Sequence, residues 1–153
     1  MDAAHFFLLL VTVFYFYSAC GCWLLQVMAY PTYLLVGKDE FVPFHVKSGQ
    51  RLIPVFVIPA VLTCLASFVL VFVRPESVPV WAALIVAACS AVILGTTIAI
   101  EVPKHNKLDK DGKDDALIQQ LIRDNLPRVI CWTIGSAVLL YMTVQAFSTL
   151  AVL

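Results

Sequence analysis

The chain has 153 residues, 61% of them hydrophobic and 13% charged, with a formal net charge of zero. So apolar a composition in so short a chain excludes an ordinary soluble domain, and the balanced charge with no basic patch excludes a nucleic-acid partner. The apolar residues come in uninterrupted blocks rather than at amphipathic spacing, so they face lipid or one another.

The predicted architecture is all-α: an integral membrane four-helix bundle with a short cytoplasmic interfacial helix, one transmembrane domain over 1–153. The spans are 4–30, 52–73, 78–100 and 128–152, each longer than the ~20 residues that cross a bilayer core. Span one has Asp2 and no Lys or Arg ahead of a long apolar run, so it reads as a retained helix and not a cleaved signal. Its aromatic residues, Phe6 to Trp23, suit packing and interfacial anchoring, or contact with a bound lipid, quinone or pigment. Tyr30-Pro31 is expected to end it, because the residue before proline avoids helical geometry.

Loop 31–51 is aromatic and basic, with Phe41, Phe44, His45 and Arg51, and is placed at headgroup level. Pro54 falls in the expected first turn of span two, and Pro59 should bend that helix. Ser77 is the expected cap of span three, with Pro79 in its first turn. Ala83, Ala87, Ala91 and Gly95, four apart, form a small-residue stripe that lets a second helix approach. In loop 101–127, residues 106–113 are charged and expected to be exposed. Residues 114–124 form the interfacial helix, capped by Asp114 or Asp115, with Leu117, Ile118, Leu121 and Ile122 on one face. Asn125 to Arg128 turns the chain into span four. Asp109-Lys110-Asp111-Gly112 does not complete a calcium-binding loop in any frame.

Ten Lys and Arg residues are present, and all but Arg74 fall in or beside loops 31–51 and 101–127. That asymmetry predicts a cytoplasmic location for both loops and puts both termini on the opposite side. The five cysteines, Cys20, Cys22, Cys64, Cys89 and Cys131, lie within apolar spans without metal or haem spacing, and read as small hydrophobes.

Topology brings a polar set to one membrane face. The candidate ligand-binding residues are His45, Arg51, Glu101, His105, Arg123, Asn125 and Arg128, with Gln26 nearby. The arginines can clasp an anion, although basic residues at such span ends also serve topology and bind anionic lipid. His45, Glu101 and His105 form the candidate metal set, since two imidazoles and a carboxylate suit non-haem iron or zinc. Glu101 and His105 lie four apart, on one helical face if Pro103 does not disturb it. His5 stands alone at the outer end of span one. Few ionisable residues lie within the spans, which argues against conduction.

The order of motifs Tyr30-Pro31, Val36-Gly37, Phe41, Phe44-His45, Arg51, Pro59, Val102-Pro103, His105, Leu108, Leu121, Asn125, Arg128 and Trp132 resembles a family of small bacterial four-span integral membrane proteins. More distantly it is similar to the anthrone-oxygenase-like domain of unknown function. The resemblance covers about residues 23–145 and implies a four-span fold. The chain departs from the family pattern at Ser48-Gly49, where a histidine is expected, at Leu62-Thr63-Cys64, where a glutamate is expected, and at Asn125-Leu126, where Asn-Trp is expected. Losing a histidine and a carboxylate suits a non-catalytic role. Two functions are therefore expected. One is an accessory or structural subunit of a larger membrane complex, in contact with membrane lipids and other subunits. The alternative is a membrane oxidoreductase or oxygenase acting on a hydrophobic substrate at the cytoplasmic interface.

Overall fold

The structure is a computed structural model describing residues 2–150, with side chains from 2 to 148; the end of the expected fourth span, residues 151–152, lies outside it. Four long helices make up the described chain: α1 (Ala3–Tyr33), α2 (Lys38–Leu70), α3 (Val80–Asp111) and α4 (Asp115–Ser148). Each is long and apolar enough to cross a membrane, so the chain has the make-up of a multi-pass membrane protein. Short connections make consecutive helices antiparallel. Helix α1 packs against α2 and α4, and α3 packs against the same two, giving an up-down-up-down bundle.

The sorting of side chains follows from this packing. Leu8, Tyr15, Cys22, Cys64, Val86, Trp132 and Leu139 fill the interior, while Phe14, Leu65, Phe72, Leu84, Ile134 and Val144 are exposed on the flanks. Interior polar groups pair across helices, as in Ser67–Ser90 at 2.7 Å and Thr12–Thr143 at 3.0 Å. Thr96 and Thr97 instead bond carbonyls of their own helix. His5 is not alone: its Nδ1 lies 2.7 Å from Asp2, which also caps α1, and its ring meets Phe147 edge-on. That hydrogen bond holds the exposed Asp2 carboxyl below the usual carboxylate range.

The expected loops 31–51 and 101–127 are corrected by the structure, because both are largely helical. The helices run 31 to 34 residues, or about 45–50 Å, well beyond the ~30 Å hydrocarbon thickness. The excess length projects at one end of the bundle as Lys38–Leu52, Val102–Asp111 and Asp115–Asp124. The sequence reading ended span one at Tyr30-Pro31, bent span two at Pro59 and ended span three at residue 100, and three wide turns explain why the helices continue. Single π-turns occupy Leu25–Ala29, Ile53–Val57 and Thr97–Glu101. In each, the next N–H reaches back five residues: Tyr30 to Leu25, Ile58 to Ile53 and Val102 to Thr97. A proline follows immediately in all three cases, as Pro31, Pro59 and Pro103. The wider turn moves the carbonyl that a proline ring would strike, so the helix passes through without breaking.

Two further expectations are corrected. Pro54 lies inside the continuous α2 rather than in its first turn. Helix α3 starts at Val80 with Pro79 at the cap, and Ser77 belongs to the preceding turn. The segment Asp115–Asp124 is a helix capped by Asp114, as expected. Its apolar residues Leu117, Ile118 and Leu121 are buried, and they face the end of α1 rather than a free interface.

Candidate functional site

Where the bundle passes into the projecting ends of α2 and α3, the helices enclose a cavity of about 540 Å³. Its inner wall is Tyr30, Phe56, Ala60, Cys64 and Trp132, and its polar end carries His45, Glu101, His105, Asp109 and Arg128. Ile53, Val57 and Val102 lie on its rim and are exposed. The exposed lining residues all belong to α2 and α3, with the polar Gln50 and Asn106 beside these apolar three, so the cavity opens between those two helices. All three π-turns border it, through Leu25, Ile53, Phe56, Val57, Thr97 and Glu101. The widened turns are thus part of what separates the helices here.

At the closed end, Glu101 and Arg128 are 2% and 5% exposed. Arg128 Nη1 sits 3.6 Å from Glu101 Oε2, and the Tyr30 hydroxyl donates to the same oxygen at 3.5 Å. Both are long contacts, and they leave Glu101 Oε1 and Arg128 Nε buried without a hydrogen-bond partner among the described residues. Such groups are costly unless something satisfies them. Behind them, Asn125 Nδ2 donates to Gln26 Oε1 at 2.8 Å, and Gln26 Nε2 donates to the Ile122 carbonyl at 3.1 Å. These bonds tie α1 to the one-residue break in α4 at Asn125 and so fix the depth of Arg128.

The second polar unit joins α2 to α3. His45 is buried, with its Nδ1 2.6 Å from Asp109 Oδ1 and its Nε2 2.9 Å from His105 Nδ1. Phe41 lies parallel to the His45 ring at 5.3 Å, and Tyr33 meets it edge-on at 4.9 Å. These aromatic contacts hold the imidazole in one orientation.

The structure therefore gathers His45, Glu101, His105, Asn125 and Arg128 of the expected ligand set. Arg51 and Arg123 are exposed, and Arg123 pairs with its neighbour Asp124. Within the expected metal set, both nitrogens of His45 face protein partners and Glu101 turns to Arg128 and Tyr30. Among the described residues, no group of three or more His, Cys, Asp or Glu is arranged to hold a metal ion. In the small-residue stripe, Ala83 and Ala87 are buried in the bundle, whereas Ala91 and Gly95 are exposed on its flank.

Sequence reasoning missed Asp109, Tyr30 and Trp132 as site residues. Asp109 carried a usable signal, being four residues beyond His105 and eight beyond Glu101, on one helical face. Reading 106–113 as an exposed charged loop hid it. No family model matches this chain, and no curated protein and no solved structure is significantly similar to it.

Proposed function

We propose that this protein takes up a hydrophobic small molecule from the bilayer and holds it in the cavity between α2 and α3. The observation that carries this reading is the buried Glu101–Arg128 pair, with unpartnered polar atoms, at the polar end of a largely apolar cavity. Apolar walls with a few convergent polar groups are the usual make-up of a small-molecule site. The lateral mouth gives a membrane-dissolved molecule a route that avoids water. On this reading the basic end of the bundle is cytoplasmic, and the site lies at that interface. Oxidoreductase or oxygenase chemistry on the bound molecule is the enzymatic version of the proposal.

Extraction and mass spectrometry of protein purified in mild detergent tests it. The expected result is one apolar compound near stoichiometric amount, lost in Ala60→Phe, which fills the cavity wall while the bundle stays folded. Consistently empty native preparations, or a filled variant that keeps the compound, would sink the proposal.

A second reading, an accessory subunit of a membrane complex, draws support from Ala91 and Gly95. Both are exposed, and a Cβ built on Gly95 meets nothing within 4 Å, so another helix can approach α3 closely there. Co-purification of partner chains, abolished by Gly95→Leu, is its expected outcome. A lone monomer in every mild detergent argues against it.

A further inference from the structure

The hydrogen-bonding sense of the cavity's polar end follows from the tautomers of His45 and His105. The Asp109 carboxylate only accepts, so its 2.6 Å contact places the proton on His45 Nδ1. With both rings neutral, His45 Nε2 is then bare and receives the proton of His105 Nδ1 across 2.9 Å. His105 is left with a bare Nε2. The ring geometry agrees: centroids 5.1 Å apart and planes 21° apart, with nitrogens 2.9 Å apart, mean rings set edge to edge and not piled face to face. That is the arrangement of an in-plane hydrogen bond. Asp109, its side chain 40% exposed, thus fixes the tautomer of a ring that lines the cavity.

His105 Nε2 takes no hydrogen bond from the described residues. Glu101 Oε1 is a second unused acceptor, and Arg128 Nε is an unused donor. The charges of Glu101 and Arg128 offset each other, so an ionised ligand would leave one charge unbalanced in an apolar cavity. An anion would add acceptors where two already stand bare, and an ammonium group would meet Arg128. A hydroxyl is the smallest neutral group that both donates and accepts.

We propose that the cavity binds a neutral, hydroxyl-bearing hydrophobe, whose O–H donates to His105 Nε2 or Glu101 Oε1 and whose oxygen accepts from Arg128 Nε. Asp109 and His45 act as positioning residues that keep His105 an acceptor. The proposal rests on the cavity being a small-molecule site, and the test separates the two claims. Binding of 2-naphthol and of 2-fluoronaphthalene, similar in shape but lacking the donor, is measured by equilibrium dialysis of the full chain in micelles against empty micelles.

A preference of at least about tenfold for the naphthol is expected, roughly the worth of one buried hydrogen bond. Equal binding of both overturns the hydroxyl inference and keeps the cavity reading; binding of neither overturns both. Nitrogen NMR of the histidine rings should show the proton on Nδ1 and a bare Nε2 in both His45 and His105. Finding His105 protonated on Nε2 overturns the tautomer assignment and with it the proposal. In Asp109→Leu the His105 tautomer should change and the naphthol preference collapse. If that variant does not fold, the wild-type probe pair and spectra still decide.

Discussion

Arg128 and Glu101 show how one residue depends on another when both leave water. Each is almost fully buried, so removing one strands the other. Arg128→Leu should cost about 3–5 kcal/mol of stability, and Glu101→Leu a similar amount. The double variant Glu101→Leu with Arg128→Leu should recover most of that loss, because a well-packed apolar pair replaces an imperfect ionic one. Thermal unfolding of the four proteins in one detergent measures this cycle; additive losses would mean the two groups are not coupled. Gly135 is a steric counterpart. A Cβ there would strike the ring and hydroxyl of Tyr15, whose ring is packed at 4.4 Å against Trp132. Gly135→Ala should therefore destabilise by about 1–3 kcal/mol through overpacking, read in the same unfolding experiment.

The helices owe their length and their stops to a few backbone events. Helix α3 ends at Gly112, with φ +88° and ψ −164°, a region essentially restricted to glycine. Gly112→Ala should cost about 1–3 kcal/mol, while Gly95→Ala, inside the same helix with open space around it, should be neutral or stabilising by up to about 1 kcal/mol. Thermal melts of the two variants separate backbone strain from helix propensity. Lys113 secures the neighbouring corner by donating to the Leu34 and Val36 carbonyls, both at 2.8 Å, which satisfies groups left open at the end of α1. Four apolar helices were legible in the sequence because block hydrophobicity is a strong signal. Their extent was not, because Pro31 read as a break, Pro59 as a bend and Pro103 as a distortion, and only the structure shows the π-turn ahead of each. The same misreading split the site: Glu101 and His105 were found, but Asp109 was assigned to a loop. Orphaned groups such as Glu101 Oε1 depend on side-chain placement and leave no trace in spacing.

At the scale of the molecule, charge and cavity share one end. The helix extensions there carry Lys38, Lys47, Arg51, Lys104, Lys107, Lys110 and Arg123, with Lys113 in the link between α3 and α4 and Arg128 buried just beyond, while Arg74 marks the other end. On the proposed reading the basic end faces the cytoplasm, which would set the side from which water and any soluble partner reach Asp109. Single cysteines in place of Lys107 and Glu76, in a chain whose five native cysteines are replaced, test the orientation. Both residues lie in polar segments at opposite ends of α3. In intact cells a membrane-impermeant maleimide should label the cysteine at 76 and spare the one at 107, and permeabilised cells should label both. The reverse pattern would place the cavity on the outer face. A hydrophobe would then load from the other leaflet, while the packing of the bundle and the histidine chain would stand unchanged.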